Sequence, residues 1–154
     1  MKVKYINQQD KSDPMNGTVI TRADKLAELL EGRQNRTPFI ADLIGDNGFE
    51  LMIGIGGNFG CAQYSGTDGA PPYLMAVSPQ RRMKTGYVEF LVSNTPTPFA
   101  ARYILSFDEV KTISLHFLET GDKSDVVSWH EFDPGAMRED VRGYRENSSE
   151  VPQR

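Results

Sequence analysis

Cysteine and histidine are scarce in this sequence, and their scarcity excludes several kinds of site. Cys61 is the single cysteine among 154 residues, so the chain has no internal disulfide framework and no cysteine-based zinc site. His116 and His130 are the two histidines, and they support no Ser-His-Asp or Cys-His arrangement. A metal site would need both histidines and a carboxylate such as Glu131 or Asp133, and nothing fixes that geometry. We therefore predict a protein that is not an enzyme, with no catalytic residues, metal ligands or cofactors.

Long apolar runs and an excess of positive charge are also absent. No run approaches the roughly 18 residues of a membrane-spanning helix. The segment Met1–Asp13 lacks the apolar core of a signal peptide. The 17 basic residues are outnumbered by 21 acidic ones, which argues against a nucleic-acid binder. Together with the lone thiol, these features predict a cytoplasmic protein that binds neither membrane nor nucleic acid.

The clearest local signal lies in Ser106–Trp129, which predicts a capped helix followed by a turn and a strand. Ser106 and Glu109 match a capping box, and Gly121 supplies the left-handed residue that ends a helix. Val126–Trp129 resumes with extended character and carries the only tryptophan, so we interpret the unit as core. The residues predicted to share the buried helix stripe are Phe107, Val110, Ile113, Ser114, Phe117 and Leu118.

A glycine-rich hairpin is the second strong signal. Phe49–Ile55 alternates apolar and other residues with the period of a strand, and Phe59–Tyr64 has the character of its returning partner. The glycines between them, in GIGGNFG, resemble a phosphate-binding loop, but a strand-like segment follows and no Lys-Ser/Thr pair closes the motif. We therefore predict a hairpin turn, in which glycines also allow a partner's backbone to approach closely.

The remaining segments predict an α+β fold, an antiparallel meander sheet of about six strands with two amphipathic helices packed on it. The domain is predicted to span residues 1–132, followed by a polar, loose tail over residues 133–154. A first helix is predicted to start at Thr21 and Asp24, close to a capping box, and to end at Gly32. Asn94–Pro98 is predicted to be a loop broken by proline. The other predicted strands are Met1–Ile6, Phe39–Ile44, Tyr73–Val77 and Tyr87–Val92.

Four segments, taken in order, resemble the deaminase-immunity family of bacterial polymorphic toxin systems. They are Gly48–Tyr64, Gly86–Val92, Phe99–Val110, and the helix ending in FLETG with the tryptophan strand after it. The resemblance covers Phe39–Phe132 and implies a small α+β protein encoded beside a secreted toxin domain. It implies that the partner is this cognate toxin domain, a nucleic-acid deaminase or alternatively a nuclease, whose active site the immunity protein occludes.

Candidate partner-binding residues lie around the glycine-rich hairpin and the loops beside it. Rigid aromatic side chains anchor interfaces, and acidic side chains complement a basic groove. For each candidate, an ordinary solvated side chain or a sheet-face tyrosine is the alternative interpretation. Two other functions also stay open: a regulatory module that binds a small molecule or peptide, and a hydrolase built around one of the histidines. The candidates are Asp46, Asn58, Tyr64, Asp68, Tyr73 and Glu89.

Overall fold

The computed structural model of the protein describes residues 1–132, and the predicted tail over residues 133–154 lies outside them. Ten β-strands and two α-helices form within the described residues. The helices are α1 (Ala23–Arg33) and α2 (Phe107–Thr120). The strands are β1 (Val3–Asn7), β2 (Val19–Ile20), β3 (Phe39–Gly45), β4 (Phe49–Ile55), β5 (Phe59–Gly66), β6 (Leu74–Val77), β7 (Tyr87–Val92), β8 (Thr95–Ala100), β9 (Leu105–Ser106) and β10 (Ser128–Glu131).

The strands form an open sheet in the order β10-β6-β5-β4-β3-β1-β2. All pairs along this path are antiparallel, and the β7–β8 hairpin joins the start of β3 through a single parallel pair, Phe39 with Leu91. This confirms the predicted α+β class. The strand number exceeds the prediction, partly because β2 and β9 contain only two residues each, too few for an alternating pattern.

The predicted loop at Asn94–Pro98 is wrong, because most of it belongs to β8. Pro96 lies opposite Leu91 and Pro98 lies opposite Glu89 in an antiparallel ladder with β7. Within the described residues β8 pairs with β7 alone. Proline has no amide proton and is tolerated on such an edge strand, where the lost donor breaks no ladder between two neighbours.

The helix α2 confirms the capping box and its predicted end. The Ser106 hydroxyl accepts from the Glu109 amide at 3.1 Å, and the Glu109 carboxylate accepts from the Ser106 amide at 2.9 Å. Gly121 is left-handed, with φ of 74°. All six residues predicted for the buried stripe are buried. The following strand begins at Ser128, two residues later than predicted, and Trp129 is only half-buried.

We expect Ser106→Ala to lower the free energy of unfolding by about 1 kcal/mol, because it removes the acceptor for one orphan amide of the first turn. Urea unfolding measures the change. Ser128→Ala is the matched control at an exposed position of β10, where the expected effect stays within about 0.5 kcal/mol. Equal losses in the two variants would contradict a stabilising role for the cap.

The predicted boundaries of α1 are wrong at both ends. Arg22 occupies the N-cap without a side-chain hydrogen bond to the helix, and it instead pairs with Asp24 at 2.8 Å. The helix continues through Gly32 to Arg33. The reason is a tertiary contact, since the Arg33 guanidinium forms an ion pair with buried Asp13. Neither helix of residues 1–132 has the length and apolar character needed to cross a membrane.

The two faces of the sheet are covered differently. Both helices pack on one face, over the main apolar core. The opposite face, which we call the helix-free face, is covered near Ile40, Gly54 and Cys61 by the β7–β8 hairpin, whose Phe90 is fully buried there. The buried strand residues of the core on the helix side are Val3, Tyr5, Ile20, Phe39, Ala41, Leu43, Leu51, Ile53, Ile55, Ala62, Tyr64, Ala76 and Leu105.

Candidate functional site

A groove of about 680 Å³ lies at one end of the sheet, and we call it the end groove. It is built where β4 begins, where β5 ends, and where the β5–β6 and α2–β10 loops meet. Its larger lining side chains are Phe49, Tyr64, Asp68, Pro71, Pro72, Leu74, Asp122 and Lys123.

The floor of the end groove is an aromatic stack. Phe49 is 41% exposed, and its ring lies on Tyr64 with centroids 5.0 Å apart and planes 15° from parallel. The two residues are diagonal neighbours on β4 and β5, which brings their rings together. Tyr64 is 6% exposed and meets Phe117 and Trp129 edge-on, at 6.0 and 6.3 Å. The exposed ring therefore rests on a support that is fixed by the core.

The rim of the end groove carries charge that is held in place by hydrogen bonds. Asp68 accepts from the Ala70 amide at 3.0 Å within its turn. Asp122 accepts from the Lys123 amide at 2.7 Å and from its ammonium at 3.2 Å, and these bonds lower the pKa of Asp122. The Lys123 ammonium also lies 4.5 Å from the Tyr64 ring centroid. Burial raises the pKa of Tyr64, and the charge of Asp122 raises it further.

Four of the six candidate residues lie at this end of the sheet. Tyr64 and Asp68 line the groove. Tyr73 donates its hydroxyl proton to the Gly69 carbonyl, in the loop that forms one wall. Asp46 lies in the β3–β4 turn, where its carboxylate accepts from the Lys2 amide at 3.3 Å. Tyr64 is buried, so of these four it contributes mainly by supporting Phe49.

The other two candidates lie elsewhere. Asn58 is in the β4–β5 turn at the far end of the hairpin, where its carbonyl accepts from the Phe107 amide at 3.0 Å. Glu89 lies on β7, opposite Pro98. The sequence patterns placed all six candidates near the β4–β5 hairpin. The seven residues of β4 extend for about 20 Å, so the turn that holds Asn58 is far from the end groove at the other end of the strand.

Phe49 and Lys123 are residues of the groove that the sequence analysis did not select. Phe49 matches the apolar face of β4, so its pattern predicts core. Its position immediately after the Asp46-Asn47-Gly48 turn is the signal that distinguishes it, because the first residue of a strand projects beyond the cover of the helices. Lys123 is one of several charged residues in a turn and carries no such signal.

The glycine-rich hairpin forms a turn as predicted, and the chain's own side chains occupy the space at its glycines. A Cβ atom on Gly54 would lie 2.6 Å from Cys61 Sγ and 2.7 Å from the Phe90 ring. A Cβ atom on Gly60 would lie 2.5 Å from Val110 Cγ2 and 2.5 Å from the Gly54 carbonyl oxygen. These glycines therefore serve internal packing on both faces of the sheet.

The cysteine and histidine side chains of the described residues lie apart from any metal-binding group. Among residues 1–132, no three histidine, cysteine, aspartate or glutamate side chains are grouped so that they could hold a metal ion. Cys61 is fully buried, and burial strongly raises the pKa of its thiol, so it is an unreactive core residue. His116 is half-buried on α2, and His130 is exposed on β10.

Comparison with protein families gives one match. The model of the family described as "Immunity protein Imm1" matches residues 18–131, which reach from β2 to the end of β10 and include every residue that lines the end groove. Comparison with curated proteins gives no match.

Proposed function

Because the chain belongs to the Imm1 family of immunity proteins, we propose that it binds one cognate toxin domain and neutralises it by occluding the toxin's active site. We propose a nucleic-acid deaminase as the toxin, with a nuclease as the alternative, and the cytoplasm as the place of action. The protein acts in this proposal through its folded surface and performs no chemistry of its own.

The end groove is the observation that supports this function best. A half-exposed phenylalanine on a fixed aromatic stack is suited to anchor an interface, because little side-chain freedom remains to be lost on binding. Asp68 lines the same groove, and Asp46 lies in the β3–β4 turn that precedes Phe49. A toxin that acts on nucleic acid needs a cationic substrate channel, and a deaminase must also admit an unpaired or flipped base. An acidic surface with an aromatic anchor can fill such a channel and exclude the substrate.

The test is binding to the toxin domain encoded in the neighbouring reading frame, prepared with its catalytic residue replaced. We expect Phe49→Ser to raise the dissociation rate about tenfold, because the anchor is lost. We expect Asp68→Asn to lower the association rate several-fold at low salt and to have less effect at high salt, because salt screens charge steering. Surface plasmon resonance measures both rates.

Two control variants test whether the change in association rate is specific to the end groove. Asp24→Asn removes the same charge from the exposed surface of α1, and Glu89→Gln removes it from the β7–β8 hairpin. Neither is expected to change the rates as Asp68→Asn does. Failure of the unaltered protein to bind this toxin domain, or to protect cells that express it, would refute the proposed function.

A peptide- or small-molecule-binding regulatory module is the second candidate. The volume of the end groove lies within the range of ligand pockets, roughly 300–1,000 Å³, and apolar side chains line much of it. Under this function the groove would serve a small ligand, and Phe49→Ser would leave inhibition of the toxin unchanged.

A further inference from the structure

The helix-free face carries an uncovered patch of alternating apolar and acidic side chains, which we call the acidic face. The β1–β3–β4 register places Lys4, Ile44 and Glu50 in one row, and the next row places Ile6, Asp42 and Met52. Asp42 and Glu50 are diagonal neighbours, at the roughly 7–8 Å spacing of such pairs.

The β7–β8 hairpin stops short of this patch. Its Phe90 packs at the following row, against Ile40 and Gly54, and Met52 borders that cluster. Ile6 and Ile44 are half-buried and belong to none of the apolar clusters of residues 1–132. Both isoleucines are thus left partly exposed: Ile44 lies beside both carboxylates, and Ile6 lies beside Asp42.

The carboxylates of the acidic face are partly desolvated. Within residues 1–132 neither Asp42 nor Glu50 forms an ion pair, and Asp42 accepts one hydrogen bond, from the Gln8 side-chain amide. Burial raises the pKa of both groups, and the charge of Asp42 raises that of Glu50 further. An opposite charge placed between them would therefore be favoured more than at a fully solvated site.

Within residues 1–132, few charged side chains lie near Asp42 and Glu50. Lys4, on β1, lies on the same face of the sheet as Asp42 and Glu50. It is exposed and is a diagonal neighbour of Asp42. The neighbouring residues of β5 are uncharged, Gln63 beside Met52 and Ser65 beside Glu50. On the bordering hairpin, Phe90 faces the sheet, and Glu89 alternates to the opposite side of β7.

We propose that the acidic face is a second part of the toxin-binding surface and receives arginine or lysine side chains of the toxin domain. Charge complementarity supports this occupant, and so does the alternating pattern, because the aliphatic stems of arginine and lysine pack on isoleucine while their charged ends reach carboxylates. The two surfaces also meet at one end of the sheet: Glu50 follows Phe49 of the end groove, its side chain lies on the opposite face, and Asp46 lies in the turn just before them. This inference rests on the proposed function.

The test compares the unaltered protein with the double variant Asp42→Asn/Glu50→Gln by titration calorimetry against the same inactive toxin domain. Cations that bind the charged carboxylates lower their pKa, so binding releases protons where the free groups are partly protonated, and affinity falls as the pH is lowered into that range. We expect the double variant to bind about thirtyfold more weakly at about pH 7 and to lose most of the proton release.

Two further measurements separate a contact role from a structural one. Asp24→Asn/Glu28→Gln removes two charges from exposed α1 and is expected to retain the affinity and the proton release of the unaltered protein. The free Asp42→Asn/Glu50→Gln variant is expected to be no less stable to urea at about pH 7, because a carboxylate whose pKa is raised by folding opposes folding when charged.

The outcomes are distinct. If the unaltered protein does not bind the toxin domain, the proposed function fails and this inference fails with it. If the groove variants weaken binding while Asp42→Asn/Glu50→Gln matches its charge control, with proton release unchanged, this inference alone is overturned. A dimer in light scattering that the double variant dissociates would also overturn it, because the occupant would then be a second copy of the chain.

Discussion

Replacing Asp13 with alanine is expected to lower the free energy of unfolding by about 3–5 kcal/mol, the cost of breaking a buried ion pair by removing one partner. The Asp13 carboxylate is fully buried and accepts hydrogen bonds from Tyr5 at 2.9 Å, Asn7 at 3.0 Å and the Arg33 guanidinium. It also accepts from the Met15 amide at 2.9 Å. Without it, four buried or half-buried residues lose the acceptor for a hydrogen bond, and the segment between β1 and β2 loses its attachment to α1.

The pH dependence of stability checks the same network. Burial alone would raise the pKa of Asp13, but the hydrogen bonds from Arg33, Asn7, Met15 and Tyr5 lower it by more, well below its usual range. A carboxyl group whose pKa is lowered by folding makes its full contribution to the free energy of unfolding at pH values above its unfolded pKa, about 3.9. This contribution is lost as the pH falls below that value toward the pKa of the folded state. Stability of the unaltered protein should therefore fall more steeply below about pH 4 than that of Asp13→Ala.

Urea unfolding across this pH range measures both effects. Asp10→Ala is the matched control, because Asp10 lies in the same segment, is 43% exposed and pairs with Arg36 at 3.6 Å. Its expected cost is much smaller than that of Asp13→Ala, because an exposed ion pair is screened by solvent and contributes little. A loss for Asp13→Ala no larger than that for Asp10→Ala would show that the buried network contributes little to stability.

Replacing Gly54 with alanine is expected to cost about 3 kcal/mol, although the change adds one methyl group. The new Cβ atom would lie 2.6 Å from Cys61 Sγ and 2.7 Å from the Phe90 ring, so the β7–β8 hairpin has to shift from the sheet. Overpacking a dense core forces such shifts, because few voids are available to absorb them.

A second substitution distinguishes overpacking from a backbone effect. Phe90→Leu in the Gly54→Ala background removes the ring that clashes, and we expect the double variant to lose less stability than the sum of the two single variants. Gly32→Ala is the control, since Gly32 lies in α1 with no neighbour within 4 Å of its added Cβ atom, and alanine there should stabilise by about 0.5–1 kcal/mol. Strict additivity of Gly54→Ala and Phe90→Leu would contradict the clash.

Local chemistry explains which elements could be predicted from the sequence. The capping box of Ser106 and Glu109 and the left-handed Gly121 act within a few residues of each other, so α2 could be located before its neighbours were known. The alternation of Phe49–Ile55 likewise predicts β4 with its bounds. A long-range contact accounts for one error: α1 extends to Arg33, which Asp13, twenty residues earlier, binds.

The candidate site was predictable only in part. Tyr73 could be selected because tyrosines are enriched at interfaces, and Asp68 because an acidic side chain in a turn complements a basic groove. Phe49 was missed because a strand pattern shows which face a residue occupies and does not show where along the strand the covering helix stops. Asp42 and Glu50 were missed for the same reason, since they share the face opposite the core residues and only the path of β7–β8 determines which part of it stays open.

One residue, Gly121, gives the end groove its shape before any toxin arrives. The carbonyl of Gly121 accepts from Tyr64 at 3.1 Å and from the Asn47 side chain at 3.0 Å, and its amide donates to Phe117 at 2.7 Å. The last turn of α2, the β3–β4 turn and β5 are thereby joined at a single point. A partner docking here meets a prearranged surface, so encounter and charge steering, instead of a slow rearrangement, should set the speed at which the complex forms.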